Sequence, residues 1–210
     1  MLLIQCDFDG TITEEDVSFA LLDVFARGDW RLWLEQYRQN KISVGEFNTR
    51  AFAMVTAPKT ELLAVAERQA KLRPGLPELV SYCRARGFRF VVVSNGLDFY
   101  IKAILKKADL GNIEVYAATT RFYRSGIKVQ YIAPDGTPLA SNFKEAYARE
   151  FLKQGYRLTY VGNGPSDIYP AVHAHYIFGT DGLLDYCHEI ALQCTPFQDL
   201  NDVGAGLEQL

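Results

Sequence analysis

Two aspartates one residue apart, Asp7 and Asp9, follow the apolar residues 1–4 and precede a Gly-Thr pair. A short apolar run that ends in acids is typical of a buried strand whose carboxyl end carries polar groups, and open α/β sheets do their chemistry at that edge. Side chains alternate along a strand, so Asp7 and Asp9 share a face if Phe8 points away. Because two such close carboxylates raise each other's pKa, the spacing predicts a bound metal ion, a shared proton, or both. The alternative is a polar strand end that leads into a turn.

A second apolar run, residues 88–93, stops at Ser94, Asn95 and Gly96. A hydroxyl and turn amides at this point could bind a phosphate oxygen. A plain turn, with Asp98 capping the next helix, is the alternative, and the tripeptide alone does not decide between them.

Lys144 lies in the first turn of a predicted helix, 143–154, since Asn142 and Glu145 have the spacing of a capping box. The helix dipole disfavours a cation there, so we expect an anion nearby. A solvated surface lysine is the alternative.

A glycine-flanked polar loop, residues 162–167, follows the predicted strand 157–161. Pro165 suits the first position of a helix, and Asp167 would then lie in its first turn. Asp167 could interact only with the helix dipole. The loop could also supply metal ligands, because Mg²⁺ binds a few oxygens together with water and substrate phosphate.

The chain has 210 residues, 49% of them hydrophobic, which suits one main domain with an insert. Its net charge of −3 comes from interleaved acids and bases. This pattern favours neither nucleic acid nor an anionic membrane as a partner, so we expect a small molecule. The sequence leaves open whether the protein is a monomer or a homodimer.

The four cysteines, Cys6, Cys83, Cys187 and Cys194, have no Cys-x-x-Cys spacing. We expect free thiols in a reducing compartment, with Cys6 packed beneath the site. The first apolar run is too short for a signal peptide, and no later stretch has the length of a membrane span. We therefore expect a cytoplasmic protein.

Residues 13–73 carry apolar residues at helical spacing, as at Phe47, Ala51 and Val55. Turn residues divide this segment into about four short helices, at positions 28–29, 40–41 and 57–58. The segment would form a helical cap, here called the lid, above Asp7 and Asp9. The predicted domains are a catalytic core of residues 1–12 and 74–210 and the lid of residues 13–73.

After residue 74 helices and strands alternate, which predicts a parallel sheet with crossover helices. We therefore expect an α/β fold class, a Rossmann-like doubly wound parallel sheet with a small helical-bundle cap inserted after the first strand and a β-hairpin insert. The predicted elements are a helix from Leu76, strand 88–93, helix 99–107, strand 114–118, hairpin 127–140, helix 143–154, strand 157–161, helix 165–174 and strand 176–178.

Taken in order, these motifs resemble the four motifs of the haloacid dehalogenase superfamily, in its phosphatase branch. They are Asp7 to Thr11, Ser94, Lys144 and the loop 162–167. The helical insert resembles the lid of phosphoserine phosphatase-like members. Within that branch the chain is similar to the bacterial 2-hydroxy-3-keto-5-methylthiopentenyl-1-phosphate phosphatases of methionine salvage.

The resemblance implies a Mg²⁺-dependent phosphomonoesterase that acts on a small cytosolic phosphate ester. Asp7 would attack phosphorus and form a phosphoaspartate, while Asp9 would act first as an acid and then as a base. Lys144 would neutralise the phosphoryl oxygens. The implied metal ligands are Asp7, Asp9, Asn163 and Asp167, and the implied substrate contacts are Thr11, Ser94, Asn95, Gly96 and Asp16.

The chain departs from this family in two places. Asn163 stands where the superfamily usually has aspartate, so we expect weaker Mg²⁺ binding. The insert after Ile127 lacks the cysteine-rich stretch of the salvage enzymes. Asp16 could grip a substrate or could close a capping box with Thr13. His173 and His175 are assigned no role.

Several other functions remain open. The substrate could be a phosphoserine-like, phosphocholine-like or pyridoxal phosphate-like ester. The chain could also be a catalytically silent phosphate-binding protein, if Asn163 prevents metal binding. A signalling receiver domain is disfavoured by Asp9, by the lid and by the position of Lys144, and dehalogenase chemistry has no need of Asp9 as a second acid.

Overall fold

An eight-stranded sheet carries the fold in the computed structural model, which describes residues 1–210. Its spatial order is β5-β4-β3-β2-β1-β6-β7-β8. The neighbours β3, β2, β1, β6, β7 and β8 pair in parallel. β4 pairs antiparallel with β3, and β5 pairs antiparallel with β4. The strands are β1 (Leu2–Cys6), β2 (Arg89–Leu97), β3 (Glu114–Tyr123), β4 (Gly126–Ile132), β5 (Pro138–Leu139), β6 (Arg157–Gly162), β7 (Tyr176–Gly179) and β8 (Thr195–Pro196).

Ten α-helices accompany the sheet, and the predicted α/β class with a mainly parallel sheet is confirmed. The helices are α1 (Val17–Phe25), α2 (Arg31–Arg38), α3 (Val44–Phe52), α4 (Lys59–Gln69), α5 (Leu76–Ala85), α6 (Asp98–Lys107), α7 (Phe143–Lys153), α8 (Ile168–Ala171), α9 (Asp181–Glu189) and α10 (Leu200–Leu207), with a 3₁₀ turn at Pro165–Asp167 before α8. No helix is both long and apolar enough to cross a membrane. All four cysteines are free thiols.

The four helices α1 to α4 form the excursion that the sequence predicted between β1 and α5. The chain leaves and returns through two paired segments, where Thr13 bridges Leu72 and the Arg73 amide donates to Ile12 O at 2.8 Å. One buried cluster runs through both parts, from Leu21 and Phe47 in the lid to Val92 in the sheet. The division into separate core and lid domains stays a prediction.

The position of β1 determines where a ligand can bind. β1 lies between β2 and β6, and all three run in parallel. Leu3, Ile4 and Cys6 are fully buried, as expected for a strand covered on both faces. The chain crosses from β1 to β2 on one side and later to β6 on the other, which makes the carboxyl end of β1 a topological switch point.

Two predicted boundaries near this edge were wrong. β2 continues to Leu97 with an irregular register after Val93, instead of ending in a turn at Ser94. The reason is tertiary, because the Asn48 side chain and the Tyr131 hydroxyl both donate to Asn95 O. The predicted helix 165–174 is instead the 3₁₀ turn followed by the four-residue α8.

The two predicted capping boxes are also absent. Asn142 has a left-handed backbone, with φ of 57°, and its side chain caps nothing. The carboxylate of Glu145 contacts Arg149 and His173 instead. In the lid, α1 begins at Val17 because Asp16 is its N-cap and accepts from the Phe19 amide at 2.9 Å.

The predicted order of elements stopped at residue 178, and the structure adds α9, β8 and α10 after it. α10 packs on α5, and the Leu200 amide donates to Pro74 O at 2.9 Å. The C-terminal elements thereby hold the segment through which the chain returns from the lid.

Candidate active site

One cavity of about 350 Å³ lies at the carboxyl ends of β1, β2 and β6, beneath the lid. It brings together eight of the predicted site residues: Asp7, Asp9, Asp16, Ser94, Asn95, Gly96, Lys144 and Asn163. Thr11 and Asp167 do not line it. The four separated motifs therefore meet at one place.

Lys144 is buried between two carboxylates. Its Nζ lies 2.8 Å from Asp7 Oδ2 and 2.6 Å from Asp167 Oδ1, and only 3% of its side chain is exposed. The anion expected near the first turn of α7 is thus a pair of aspartates, and a solvated surface lysine is excluded. The Lys144 carbonyl accepts from Gln5 Nε2 at 2.9 Å, which ties the start of α7 to β1. Burial opposes the charge, but Asp167 and Asp7 raise the pKa of Lys144 overall.

Only one of the two carboxylate oxygens of Asp7 has a partner in the structure. Oδ2 accepts the Lys144 ammonium, while the buried Oδ1 has no hydrogen-bond partner. Burial raises the pKa of Asp7 to about 7, although the charge of Lys144 opposes the shift. Burying a carboxylate oxygen without a hydrogen bond destabilises the fold unless a ligand binds that oxygen.

Asp9 is held at both oxygens. Oδ1 accepts from the Val17 amide at 2.9 Å, and Oδ2 accepts from the Tyr100 hydroxyl at 2.5 Å. Burial, followed by the charge of Asp16, raises the pKa of Asp9 to about 8, against the opposing effect of these two donors. A carboxyl group with this pKa can carry a proton near neutral pH and can later release it.

Asp167 does not fit its predicted role as a direct metal ligand. Its Oδ1 accepts from Lys144 Nζ and from the Tyr160 hydroxyl. Its Oδ2 accepts from the amides of Asn163 and Gly164, at 3.0 and 2.8 Å. A carboxylate has about four acceptor positions, and all are used. The geometry instead makes Asp167 a support for Lys144 and for the loop after β6.

Thr11 also differs from its predicted role in substrate binding. It is fully buried, and its hydroxyl donates to Asn163 Oδ1 at 2.9 Å. Asn163 Oδ1 keeps a second lone pair, which could serve a cation. Gly10 must approach closely here, because a Cβ at this position would lie 2.3 Å from Asn163 Nδ2. Arg73 fixes the same loop by donating to the carbonyls of Gly10 and Thr11.

The residues at the end of β2 form the opposite wall of the cavity. Ser94 is buried, and its hydroxyl accepts from the Gly96 amide at 3.0 Å. The main chain of Asn95 is fixed by the lid, whereas its Oδ1 is buried without a partner. Ser94 and Asn95 thus line the place where the sequence predicted a phosphate.

Asp16 lines the cavity and is itself the N-cap of α1, so the predicted capping box with Thr13 is absent, and a contact between Asp16 and substrate stays a prediction. Burial raises its pKa to about 6. The lid also contributes an apolar wall that the sequence analysis did not assign, formed by Phe19, Leu34 and Phe47. Helical spacing marked Phe47 as apolar, but spacing alone cannot separate a core residue from a cavity wall.

The sequence analysis also missed three residues that support the site, for a similar reason. Tyr100, Tyr160 and Arg73 contact the aspartates or their loop, yet each occupies an ordinary helical, strand or loop position in the sequence. No spacing signal marks them, because their role arises only when distant segments meet. No group of three or more His, Cys, Asp or Glu side chains that could hold a metal ion is present.

The sequence and the fold both have counterparts among known proteins. The profile of the haloacid dehalogenase-like hydrolases matches residues 4–171. The chain is 30% identical to a 2-hydroxy-3-keto-5-methylthiopentenyl-1-phosphate phosphatase of Brevibacillus brevis, over all of this chain and 96% of that protein. It is also 30% identical to the phosphatase of the same name from Bacillus velezensis, over 99% of this chain and 90% of that one.

Solved structures show the same fold. A phospho-aspartyl intermediate analogue of phosphoserine phosphatase superposes with a TM-score of 0.72, at 17% identity and over 96% of both chains. A substrate-bound phosphoserine phosphatase complex gives 0.71, at the same identity and coverage.

Proposed function

This chain belongs to the haloacid dehalogenase-like hydrolase family and is a phosphatase, and from that premise we propose that it hydrolyses a small phosphate monoester with Mg²⁺ through a phosphoaspartate at Asp7. One observation carries the proposal. Asp7 is fixed through Oδ2 to a buried ammonium while Oδ1 stays unpartnered, at the wall of a cavity large enough for a small ester.

The first half-reaction forms a bond between an Asp7 oxygen and phosphorus and breaks the ester bond. Lys144 orients the Asp7 carboxylate and reduces the repulsion between it and the phosphate dianion. The departing alkoxide takes the proton of Asp9, whose raised pKa keeps it protonated near neutral pH.

The second half-reaction hydrolyses the phosphoaspartate. Asp9, now ionised, removes a proton from a water molecule as the water oxygen attacks phosphorus. The bond between phosphorus and Asp7 breaks, which releases inorganic phosphate and restores Asp7 as a carboxylate. Asp9 regains its proton, so the cycle is balanced.

The donor atoms present fit Mg²⁺. Asp7 Oδ1 is a buried oxygen without a partner, and Asn163 Oδ1 has a lone pair left beside the Thr11 hydroxyl. With the main-chain carbonyl of Asp9 they would form a set of a few oxygens, as Mg²⁺ prefers when water and phosphate complete its shell. When bound, the ion would supply positive charge that keeps Asp7 ionised and screens the phosphoryl oxygens.

The favoured substrate is 2-hydroxy-3-keto-5-methylthiopentenyl-1-phosphate, which gives two 30% identical relatives their name. The apolar lid wall of Phe19, Leu34 and Phe47 supports this choice, because it could cover a methylthio tail while the phosphate lies at Asp7. A cytoplasmic location and a small-molecule partner follow from such a substrate.

Hydrolysis of p-nitrophenyl phosphate by the purified protein tests the reaction class. We expect turnover with Mg²⁺, no turnover with EDTA, and loss of turnover in Asp7→Asn. Asp185 provides the control, because it is exposed and does not line the cavity, and Asp185→Asn should retain the wild-type rate. Absence of turnover at high Mg²⁺ would contradict the proposal and would favour a silent phosphate-binding protein.

A panel of esters tests the substrate. It contains the methylthiopentenyl phosphate, phosphoserine, phosphocholine and pyridoxal phosphate, ranked by kcat/KM. We expect the first to lead, and Phe47→Ala to lower kcat/KM for it more than for phosphocholine. A different leading ester would refute the substrate assignment and leave the reaction class intact.

A further inference from the structure

The hydroxyl of Tyr100 is the only side-chain donor to Asp9 in the structure. It lies 2.5 Å from Asp9 Oδ2, and the Ser18 hydroxyl lies 2.7 Å from the same Tyr100 oxygen. Tyr100 is fully buried and Ser18 is 5% exposed, so both hydroxyls are largely shielded from solvent. Three groups from three segments, the loop after β1, helix α6 and lid helix α1, therefore form one chain of hydrogen bonds.

The backbone around Tyr100 is built to allow this contact. A Cβ at Gly96 would lie 2.2 Å from the Tyr100 hydroxyl and 2.4 Å from Asp9 Oδ2. Only glycine at position 96 leaves room for the two groups to meet. Gly96 was predicted as a phosphate contact, and the close approach of Tyr100 and Asp9 is a separate requirement for glycine at this position.

The directions of the hydrogen bonds leave the pair adaptable. Either hydroxyl of Ser18 and Tyr100 can be the donor between them. Tyr100 can donate to an ionised Asp9, or can accept from a protonated Asp9 while donating to Ser18. One arrangement of heavy atoms therefore suits Asp9 in both half-reactions.

We propose that Tyr100, supported by Ser18, is a positioning residue that holds the Asp9 carboxyl in line with the leaving group and with the attacking water. This inference rests on the proposed function, because it assigns Asp9 as the acid and base. The Val17 amide already holds Oδ1 from the lid. Without Tyr100 the other oxygen would be unrestrained, and the carboxyl could rotate away from the reacting atoms.

Two esters of similar shape but different leaving groups provide the test. Phenolate needs a proton from Asp9 more than p-nitrophenolate does, so a displaced acid slows phenyl phosphate selectively. In Tyr100→Phe we expect kcat/KM to fall about tenfold for phenyl phosphate and about twofold or less for p-nitrophenyl phosphate. Ser18→Ala should move both values in the same direction, by less.

A second readout follows the other half-reaction. If Asp9 also activates water, Tyr100→Phe slows hydrolysis of the phosphoaspartate. Rapid mixing with p-nitrophenyl phosphate should then give a burst of p-nitrophenolate, followed by slower steady turnover. The ring of Tyr100 packs on Phe8 and Phe99, and phenylalanine keeps those contacts.

Tyr147→Phe is the matched control, because it removes a buried hydroxyl that donates to Ile132 O away from the cavity. It should change neither the ester ratio nor the burst. Equal loss with both esters and no burst in Tyr100→Phe, or wild-type kinetics in that variant, would overturn the inference while the proposed function stands. A wild-type protein that hydrolyses neither ester overturns both.

Discussion

Of the two polar residues Asn163 and Asp167, the charged Asp167 would be expected to face the cavity and the neutral Asn163 to support the loop, but the structure shows the reverse. The neutral amide lines the cavity, with Oδ1 shared with the Thr11 hydroxyl, whereas the carboxylate is buried under four internal donors. The carboxylate of Asp167 therefore holds Lys144 and the loop and is not free to bind a metal ion. In the proposed function, the charge available to a metal at this cavity would come mainly from Asp7, whose Oδ1 has no hydrogen-bond partner.

Asn163→Asp tests this distribution of charge. A second carboxylate facing the cavity should tighten Mg²⁺ binding, by about tenfold if it adds one charged ligand contact worth about 1.4 kcal/mol. The activation constant for Mg²⁺ in p-nitrophenyl phosphate hydrolysis, and direct calorimetric titration, would measure it. Equal or weaker affinity would refute this account of position 163.

Asp167→Asn provides the complementary change. It keeps the shape of the side chain but removes the charge that pairs with buried Lys144, and one amide hydrogen must face a donor. Breaking a buried pair costs about 3–5 kcal/mol. We expect the free energy of unfolding to fall by this order in urea titrations, whereas Asp185→Asn, at an exposed position, should change it little. A variant as stable as wild type would show that Lys144 needs only Asp7.

At the scale of elements, the sequence predicted those parts of the fold whose pattern is local. Strand β1 and the four lid helices have clear periodicity and clear breaks, and they lie where expected. The polar residues at strand ends also met, because parallel strands share one carboxyl edge. Elements fixed by distant contacts were missed: β2 runs on through Asn95 since Asn48 and Tyr131 hold its carbonyl, and α10 depends on α5.

The same limit applies to the candidate site. The sequence pattern could identify Asp7, Asp9 and Lys144, because each is a charged residue at the end of an apolar strand or in the first turn of a helix. Tyr100 could not be found, because a tyrosine in an amphipathic helix looks like a core residue until Gly96 lets its hydroxyl reach Asp9. A residue whose role depends on two other segments leaves no local pattern.

Asn48 connects lid helix α3 to the sheet, and its loss should loosen that contact. Its side chain donates to Asn95 O at 2.9 Å beside the cavity, and 4% of the residue is exposed. In Asn48→Ala we expect kcat/KM to fall about fivefold, as loss of a hydrogen bond worth about 1 kcal/mol implies. Hydrogen exchange in α3 should accelerate at the same time.

Thr49→Ala is the control for this change, since Thr49 follows on the same helix but is exposed and bonds only to Gly45 within it. It should leave kcat/KM unchanged. If both variants lose activity equally, stability of α3 itself, and not its contact with Asn95, controls the reaction.

At the scale of the whole molecule, three carboxyl groups share one buried region between lid and sheet. Burial raises the pKa of Asp7 to about 7, of Asp9 to about 8 and of Asp16 to about 6, each from an ordinary value near 3.8. The folded protein without metal therefore binds these protons more tightly than the unfolded chain does. In the proposed function these acids ionise at a cost to the stability of the fold, and the large shared core offsets that cost.

This cluster makes stability depend on pH with a definite sign. Between about pH 4 and pH 8 the folded state holds more protons than the unfolded state, so the free energy of unfolding decreases as pH rises through that window.

In EDTA we expect a lower Tm at pH 8 than at pH 5.5. Asp7→Asn removes one ionising group, so its Tm should fall less than the wild-type Tm from pH 5.5 to pH 8, by about 3 °C or about 1 kcal/mol, while Asp185→Asn should follow the wild type. Mg²⁺ should raise the wild-type Tm more at pH 8, where the carboxylates it binds are ionised. A Tm in EDTA that is constant or rises from pH 5.5 to pH 8, with the same pH dependence in Asp7→Asn as in wild type, would mean that the three acids are solvated in the folded protein.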